Sequence, residues 1–156
     1  MITLVARAAV ITLCGYLLVA GSASFAMPSA DQVTEHNRIV VRTFADLFYR
    51  QRKVREAFDR FVSPKYIQHN PGIDDGREAA VKALIPLFSK PGAEFQIKRI
   101  LVDGDMAAIH LLGRGDPKTK GAAVVDLYRL ESGKIVEHWD VIQPIPAASK
   151  NPHPMF

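Results

Sequence analysis

Cysteine is almost absent from this 156-residue sequence, which contains only Cys14. Cys14 lies inside an N-terminal apolar run, so the rest of the chain has no cysteine. This excludes disulfides and covalent cysteine catalysis from the part that follows the run. Leu13 precedes Cys14 where a lipoprotein site would have a small residue. A domain without disulfides must be stabilised by its own core or by a partner subunit.

Several functional signatures are also missing. The formal net charge is only +4, and the basic residues at 50–55 are followed by Glu56 and Asp59 rather than forming a basic stripe with aromatics. Nucleic acid is therefore not a predicted partner. No Gly-x-Ser-x-Gly elbow and no phosphate-binding glycine loop occurs, so no motif supports a serine hydrolase or a nucleotide-dependent enzyme.

The first 26 residues have the composition of a secretory signal. They contain one basic residue, Arg7, no acid, an apolar run at residues 8–20, and small residues up to Ala26. This pattern predicts cleavage near Ala23 or Ala26 and a secreted or periplasmic protein. The run is short and weakly flanked for a membrane span, so we expect no stable membrane insertion after cleavage; an uncleaved anchor is the alternative.

Helical spacing of apolar residues dominates the first half of the remaining chain. The pattern predicts a helix over residues 31–51, a short second helix with Val54 and Phe58 on one face, and a third over residues 77–88. Asp75 is the expected N-cap of the third helix, and Pro86 is expected to kink or shorten its last turn.

The second half has the composition of β-strands. Four strand-length runs rich in branched and aromatic residues occupy residues 94–102, 106–114, 122–130 and 134–142. The short Gly- and Asp-containing connections between them predict an antiparallel meander. We therefore predict an α+β domain over residues 27–146, with helices on one face of a curved sheet, and an extended tail over residues 147–156. A ligand would bind in the concavity of the sheet.

Alternation along the last strand places His138 and Asp140 on one face and Trp139 on the other. On the preceding strand, Asp126 has strongly apolar neighbours, which is unusual for a solvated acid. Carboxylates and an imidazole in one apolar cavity would shift each other's pKa values and could serve as general acids or bases. The alternative is a core tryptophan between solvated polar residues.

A second polar cluster precedes a turn at Pro71. Tyr66, His69 and Asn70 could lie at a cavity rim and polarise a carbonyl group. The alternative is ordinary turn chemistry, because Asn before Pro favours an extended approach to a tight turn.

The same residues could instead form a metal site. Two histidines from His69, His110 and His138, with Asp126 or Asp140, could form a two-histidine, one-carboxylate site. Their separations show no compact ligand motif, so we predict no metal and no other cofactor.

Two segments resemble the SnoaL-like branch of the nuclear transport factor 2-like superfamily. They are Tyr-Ile-Gln-His-Asn-Pro at residues 66–71 and the stretch at residues 127–144 that contains Gly-Lys-Ile-Val-Glu-His-Trp-Asp. The resemblance covers roughly residues 33–146. It implies a cone-shaped α+β barrel, a curved antiparallel sheet wrapped around N-terminal helices, a deep apolar pocket, and a homodimer packed through the sheet.

The resemblance also implies roles for individual residues. In the polyketide cyclases of this branch, an aspartate on the last strand is the acid/base of an aldol condensation, and by motif position it is Asp140. Asp126 stands where those cyclases have a histidine. Together with the residue patterns above, this predicts Asp140, His138 and Asp126 as catalytic residues. The predicted substrate-binding residues are Tyr66, His69, Asn70, His110 and Tyr128.

The predicted function is a cofactor-free lyase or isomerase that transfers a proton next to a carbonyl of a small apolar substrate. A non-catalytic periplasmic binding protein for an apolar metabolite is the first alternative. The second is an epoxide-hydrolase-like protein, in which Asp126 and Asp140 flank Arg99 or Arg114.

Overall fold

The computed structural model describes residues 27–156, so the predicted signal segment lies outside the described residues. Three helices form the first half of the described residues: α1, Ala30–Ala45; α2, Val54–Phe61; and α3, Arg77–Ser89. Ser29 begins α1 with a capping box, in which the Gln32 N–H donates to Ser29 Oγ at 3.2 Å and Gln32 Oε1 accepts from the Ser29 N–H at 2.8 Å. The predicted continuation to residue 51 exists, but as a π-helical turn, Asp46–Arg50.

The predicted N-cap of α3 is wrong. Gly76 occupies the cap position with a φ of 98°, and no side chain caps the helix. Asp75 instead accepts a hydrogen bond from the Gln68 N–H at 2.8 Å, which ties the start of α3 to the preceding strand. Pro86 lies inside α3, which ends one turn later. Across residues 27–156, no helix has the length and apolarity to cross a membrane.

In the part of the chain that the structure describes, five strands form one sheet in the order β1-β5-β4-β3-β2. Their bounds are β1, Val62–Gln68; β2, Glu94–Asp103; β3, Met106–Arg114; β4, Ala122–Glu131; and β5, Lys134–Pro144. The predicted antiparallel meander of β2 to β5 is confirmed. The sheet is nevertheless mixed, because β1 pairs with β5 in parallel. No turn joins these two strands, so the sequence carries no local signal for their pairing.

Strand register brings the polar residues of three strands together. Asp126 pairs with Asp140, and Tyr128 pairs with His138, across β4 and β5. Gln68 at the end of β1 pairs with the same His138. Because directly paired residues point to the same face, these side chains share the inner face of the sheet.

The core is an aromatic layer between the helices and that inner face. Phe48 stacks on Phe88 at a centroid distance of 4.4 Å, and Phe88 stacks on Phe95 at 3.9 Å. Phe44 is fully buried and packs edge-on against Tyr128 at 5.4 Å. Burial of large aromatic side chains supplies much of the driving force for folding. The layer also forms one wall of the cavity described below.

Candidate functional site

One cavity of about 230 Å³ lies between the helices and the inner face of the sheet. Most of its wall is apolar, with contributions from Phe48, Phe58, Leu84, Phe88, Phe95, Leu111, Val124 and Ile142. Polar side chains are gathered where β1, β4 and β5 meet, and comprise Tyr49, Tyr66, Gln68, Asn70, Asp126, Tyr128, His138 and Asp140. An apolar pocket with a few convergent polar groups is typical of a small-molecule site.

A buried acid–imidazole pair lies at the centre of the polar end. His138 Nε2 is 3.0 Å from Asp126 Oδ1, and both residues are only 7% exposed. On the other side of the ring, His138 Nδ1 is 2.9 Å from Gln68 Oε1. Both ring nitrogens are therefore engaged, which holds the imidazole in one orientation.

Two phenols complete the environment of Asp126. The Tyr49 hydroxyl donates to Asp126 Oδ2 at 2.6 Å, and it lies 2.6 Å from the Tyr128 hydroxyl. Tyr49 comes from the π-helical turn after α1, so a residue 77 positions away in the chain orients the carboxylate. π-helical turns are frequent at functional sites because they displace a side chain from the regular helix register.

Asp140 lies next to this pair and is held differently. The Asn70 side-chain amide donates to Asp140 Oδ2 at 2.5 Å, while Asp140 Oδ1 receives no hydrogen bond from the described residues. Asn70 is itself held, because its Oδ1 accepts from the Gly72 N–H at 2.7 Å. One oxygen of a half-buried carboxylate is thus left available in the cavity.

The electrostatics of the cavity keep its phenols protonated. Burial raises the pKa of Tyr49, Tyr66 and Tyr128 well above the usual value for tyrosine, and the negative charge of Asp126 raises each of them further. At neutral pH these side chains are therefore neutral hydrogen-bond donors.

The donor set also has the composition of a metal site. Asp126, His138 and Asp140 each offer one ligand atom, and these atoms lie within 4.8 Å of one another. Carboxylate and imidazole are common ligands of divalent ions. The hydrogen bond between His138 and Asp126 already joins two of these three residues as an acid–base pair.

Six of the eight predicted site residues line this cavity, namely Tyr66, Asn70, Asp126, Tyr128, His138 and Asp140. The prediction of His69 and His110 at the cavity is wrong. His69 lies on the opposite face, where its ring stacks on Trp139 at 4.8 Å and its Nε2 is 2.8 Å from Glu137. It alternates along the chain with Gln68 and Asn70, which face inward, so the period of a strand explains its placement.

His110 lies on the outer face of β3, where its Nδ1 is 3.0 Å from the Arg99 guanidinium. Its neighbours Ile109 and Leu111 are the residues of β3 that point into the core. Arg114 forms an ion pair with Glu94. Within residues 27–156, no arginine lines the cavity, so the Asp-Arg-Asp arrangement of an epoxide hydrolase is not formed.

Two important residues were not among the predicted ones. Gln68 contacts His138 and Tyr66, and a signal for it existed, because strand alternation places it on the same face as Tyr66 and Asn70. Tyr49 had no such signal. It follows Phe48 in an apolar helical pattern, and only the π-helical turn directs its hydroxyl to Asp126.

The sequence profile of the SnoaL-like domain matches residues 40–138, which is more than half of the chain. The chain belongs to the SnoaL-like domain family. Among curated proteins, none matches this SnoaL-like domain. The matched segment ends at His138, so Asp140 lies two residues beyond it.

Solved structures share the fold of this SnoaL-like domain. An NTF2-like protein of unknown function from Mesorhizobium loti is 24% identical, with a TM-score of 0.63 over 75% of this chain and 97% of that one. A proposed ketosteroid isomerase from Kribbella flavida is 20% identical, with a TM-score of 0.59 over 78% and 85%. A proposed SnoaL-like polyketide cyclase from Jannaschia is 19% identical, with a TM-score of 0.57 over 74% and 91%. At these identities the likeness shows the NTF2-like fold.

Proposed function

We propose that this SnoaL-like protein is a cofactor-free lyase or isomerase that moves a proton at a carbon next to a carbonyl. One observation carries the proposal: in a largely apolar cavity, Asn70 holds one oxygen of Asp140 at 2.5 Å, and the other oxygen has no partner among the described residues. A carboxylate oriented in this way can serve as a general base. The substrate would be a small, apolar carbonyl compound.

The neighbouring groups support the same chemistry. The Asp126–His138 pair has ligand atoms within 4.8 Å of those of Asp140, which is near enough for a proton to pass through one water molecule. A neutral phenol of the cavity can stabilise the negative charge that develops on the substrate oxygen. In the proposed step, the Cα–H bond breaks, its proton moves to Asp140, and its electron pair forms an enolate.

Hydrogen–deuterium exchange into 1-tetralone tests this proposal without knowledge of the natural substrate. This neutral bicyclic ketone carries exchangeable protons at C2, and mass spectrometry in D₂O follows their replacement. We expect the protein to accelerate exchange above the buffer rate, and Asp140→Asn to lower the catalysed rate by about 10²- to 10⁴-fold, the usual contribution of a general base.

The matched control is Glu137→Gln, which removes a carboxylate from the same strand on the outer face. This variant should retain the catalysed rate. Equal rates for Asp140→Asn and the unaltered protein would remove Asp140 from the mechanism. Saturable binding of 1-tetralone without any accelerated exchange would favour the binding-protein alternative.

Export and dimer formation remain proposals of their own. The composition of residues 1–26 supports export, which cell fractionation with an antibody against the domain would test.

An apolar outer sheet face, with Leu101 66% exposed and Val141 62% exposed, supports a homodimer packed through the sheet. Analytical ultracentrifugation should give a dimer, and Val141→Lys should shift it to monomer.

A further inference from the structure

The carboxamide of Gln68 lies at the junction of the cavity's hydrogen-bond network. Its Oε1 is 2.9 Å from the backbone N–H of Asn70 and 2.9 Å from His138 Nδ1, and its Nε2 is 3.2 Å from the Tyr66 hydroxyl. A backbone N–H can only donate, so the Asn70 amide must face an oxygen. The backbone immediately after β1 thereby determines which way the Gln68 amide points.

This orientation determines the protonation of His138. Because Gln68 Oε1 can only accept, His138 Nδ1 must carry a hydrogen and donate it. The proton that can be lost or gained by the ring is then the one at Nε2, which lies 3.0 Å from Asp126 Oδ1. The Asp126–His138 pair therefore shares one proton along a single, defined line.

The same orientation of the Gln68 amide also determines whether the Tyr66 hydroxyl accepts or donates in their contact. Gln68 Nε2 donates to the Tyr66 oxygen, so the Tyr66 hydroxyl accepts there and its own hydrogen is not used by any described residue. Tyr66 is 4% exposed and lines the cavity. Its raised pKa keeps this hydrogen in place at neutral pH.

The hydroxyl hydrogens of the other two cavity phenols, Tyr49 and Tyr128, are already used in hydrogen bonds. Tyr49 donates to Asp126 Oδ2, and each hydroxyl has one hydrogen, so Tyr128 must be the donor in the 2.6 Å contact between Tyr128 and Tyr49. Of the three phenols, Tyr66 alone has a hydrogen that the described residues leave available.

We propose that Gln68 is a positioning residue that assigns both protons: it makes His138 Nε2 the exchanging nitrogen, and it makes Tyr66 the hydrogen-bond donor to the oxygen of a bound carbonyl ligand. The part that concerns Tyr66 rests on the proposed function, because it assumes a carbonyl ligand. The part that concerns His138 is a property of the protein alone, so the two can be tested separately.

Nitrogen-15 NMR of the histidine rings tests the first part at pH 8 without a ligand. We expect His138 to show a protonated Nδ1 in the unaltered protein and in Gln68→Glu, because a carboxylate also accepts. In Gln68→Leu, which has no acceptor, Nδ1 should lose its hydrogen, while Nε2 keeps the one that faces Asp126. An unprotonated Nδ1 in the unaltered protein, or an unchanged tautomer in Gln68→Leu, would overturn the assignment.

Binding of 1-tetralone, compared with binding of tetralin, tests the second part by calorimetry. Tetralin has the same ring system without the carbonyl. Tyr66→Phe removes the donor, and in Gln68→Glu the Tyr66 hydroxyl must donate to the new carboxylate instead. Both variants should bind 1-tetralone about five- to tenfold more weakly, the usual effect of losing one hydrogen bond, and should bind tetralin normally.

Unchanged affinity of both variants for 1-tetralone would overturn the role of Tyr66. Failure of the unaltered protein to bind 1-tetralone would overturn that role together with the proposed function. Neither result would affect the NMR assignment of His138, which stands or falls on the tautomer alone.

Discussion

Tyr49→Phe should destabilise the protein more than any other removal of a single hydroxyl from the cavity. The Tyr49 hydroxyl donates to Asp126 Oδ2 and accepts from Tyr128, both at 2.6 Å. Both partners are buried, so water cannot readily replace the lost group. The substitution leaves a carboxylate oxygen and a phenol hydrogen without partners while preserving the aromatic packing against Phe48 and Phe88.

The expected cost follows from these two contacts. A hydrogen bond to a charged group contributes about 1.5–3 kcal/mol, and one between neutral groups about 0.5–1.5 kcal/mol. We therefore expect Tyr49→Phe to lower the free energy of unfolding by about 2–4 kcal/mol. Tyr128→Phe is the matched control, because it removes only the neutral bond and should cost about 1 kcal/mol.

Urea unfolding followed by the fluorescence of the single tryptophan, Trp139, measures both variants at pH 7. The denaturant slope should be unchanged, so that the shift in midpoint reports stability alone. A loss below about 0.5 kcal/mol for Tyr49→Phe, or a larger loss for Tyr128→Phe, would refute the donor order Tyr128 to Tyr49 to Asp126.

Two further outcomes concern stability. Because burial raises the pKa of Tyr49, Tyr66 and Tyr128, the unfolded chain loses these protons above pH 10 while the folded protein keeps them. The free energy of unfolding should therefore fall as the pH rises above 10, by up to about 1.4 kcal/mol per pH unit for each tyrosine. Urea midpoints that stay level from pH 9 to 11.5 would contradict this. Gly121→Ala should cost about 1–3 kcal/mol, because φ is +83° there and a Cβ atom would lie 2.7 Å from the Gly113 carbonyl oxygen; an unchanged melting temperature would contradict it.

Much of the fold was predictable from local patterns. The bounds of β3 match the predicted run 106–114, and β4 and β5 differ from theirs by one or two residues. Turns at Gly104 and Gly133, both with positive φ, separate β2 from β3 and β4 from β5 at the expected places. Strand alternation and turn chemistry are local properties, which is why a single sequence reveals them.

The pairing of β1 was not predictable in this way. It joins Gln68 to His138, which are 70 residues apart. Because the two strands are parallel, no short turn in the sequence indicates that they pair. The π-helical turn that directs Tyr49 towards Asp126 likewise depends on packing rather than on spacing. His69 and His110 were expected at the cavity for their chemistry, although alternation with Gln68 and Ile109 places them on the outer face.

Sequence alone therefore determined the α+β class, the meander, and the shared face of His138 and Asp140, because each depends on residues close together in the chain. Only the tertiary structure decided that His138 bonds to Asp126 while Asn70 holds Asp140. The physical reason is that the direction of each hydrogen bond in the cavity depends on donors and acceptors from β1 and the residues after it, from β4 and β5, and from the π-helical turn after α1. These elements meet only when the chain is folded.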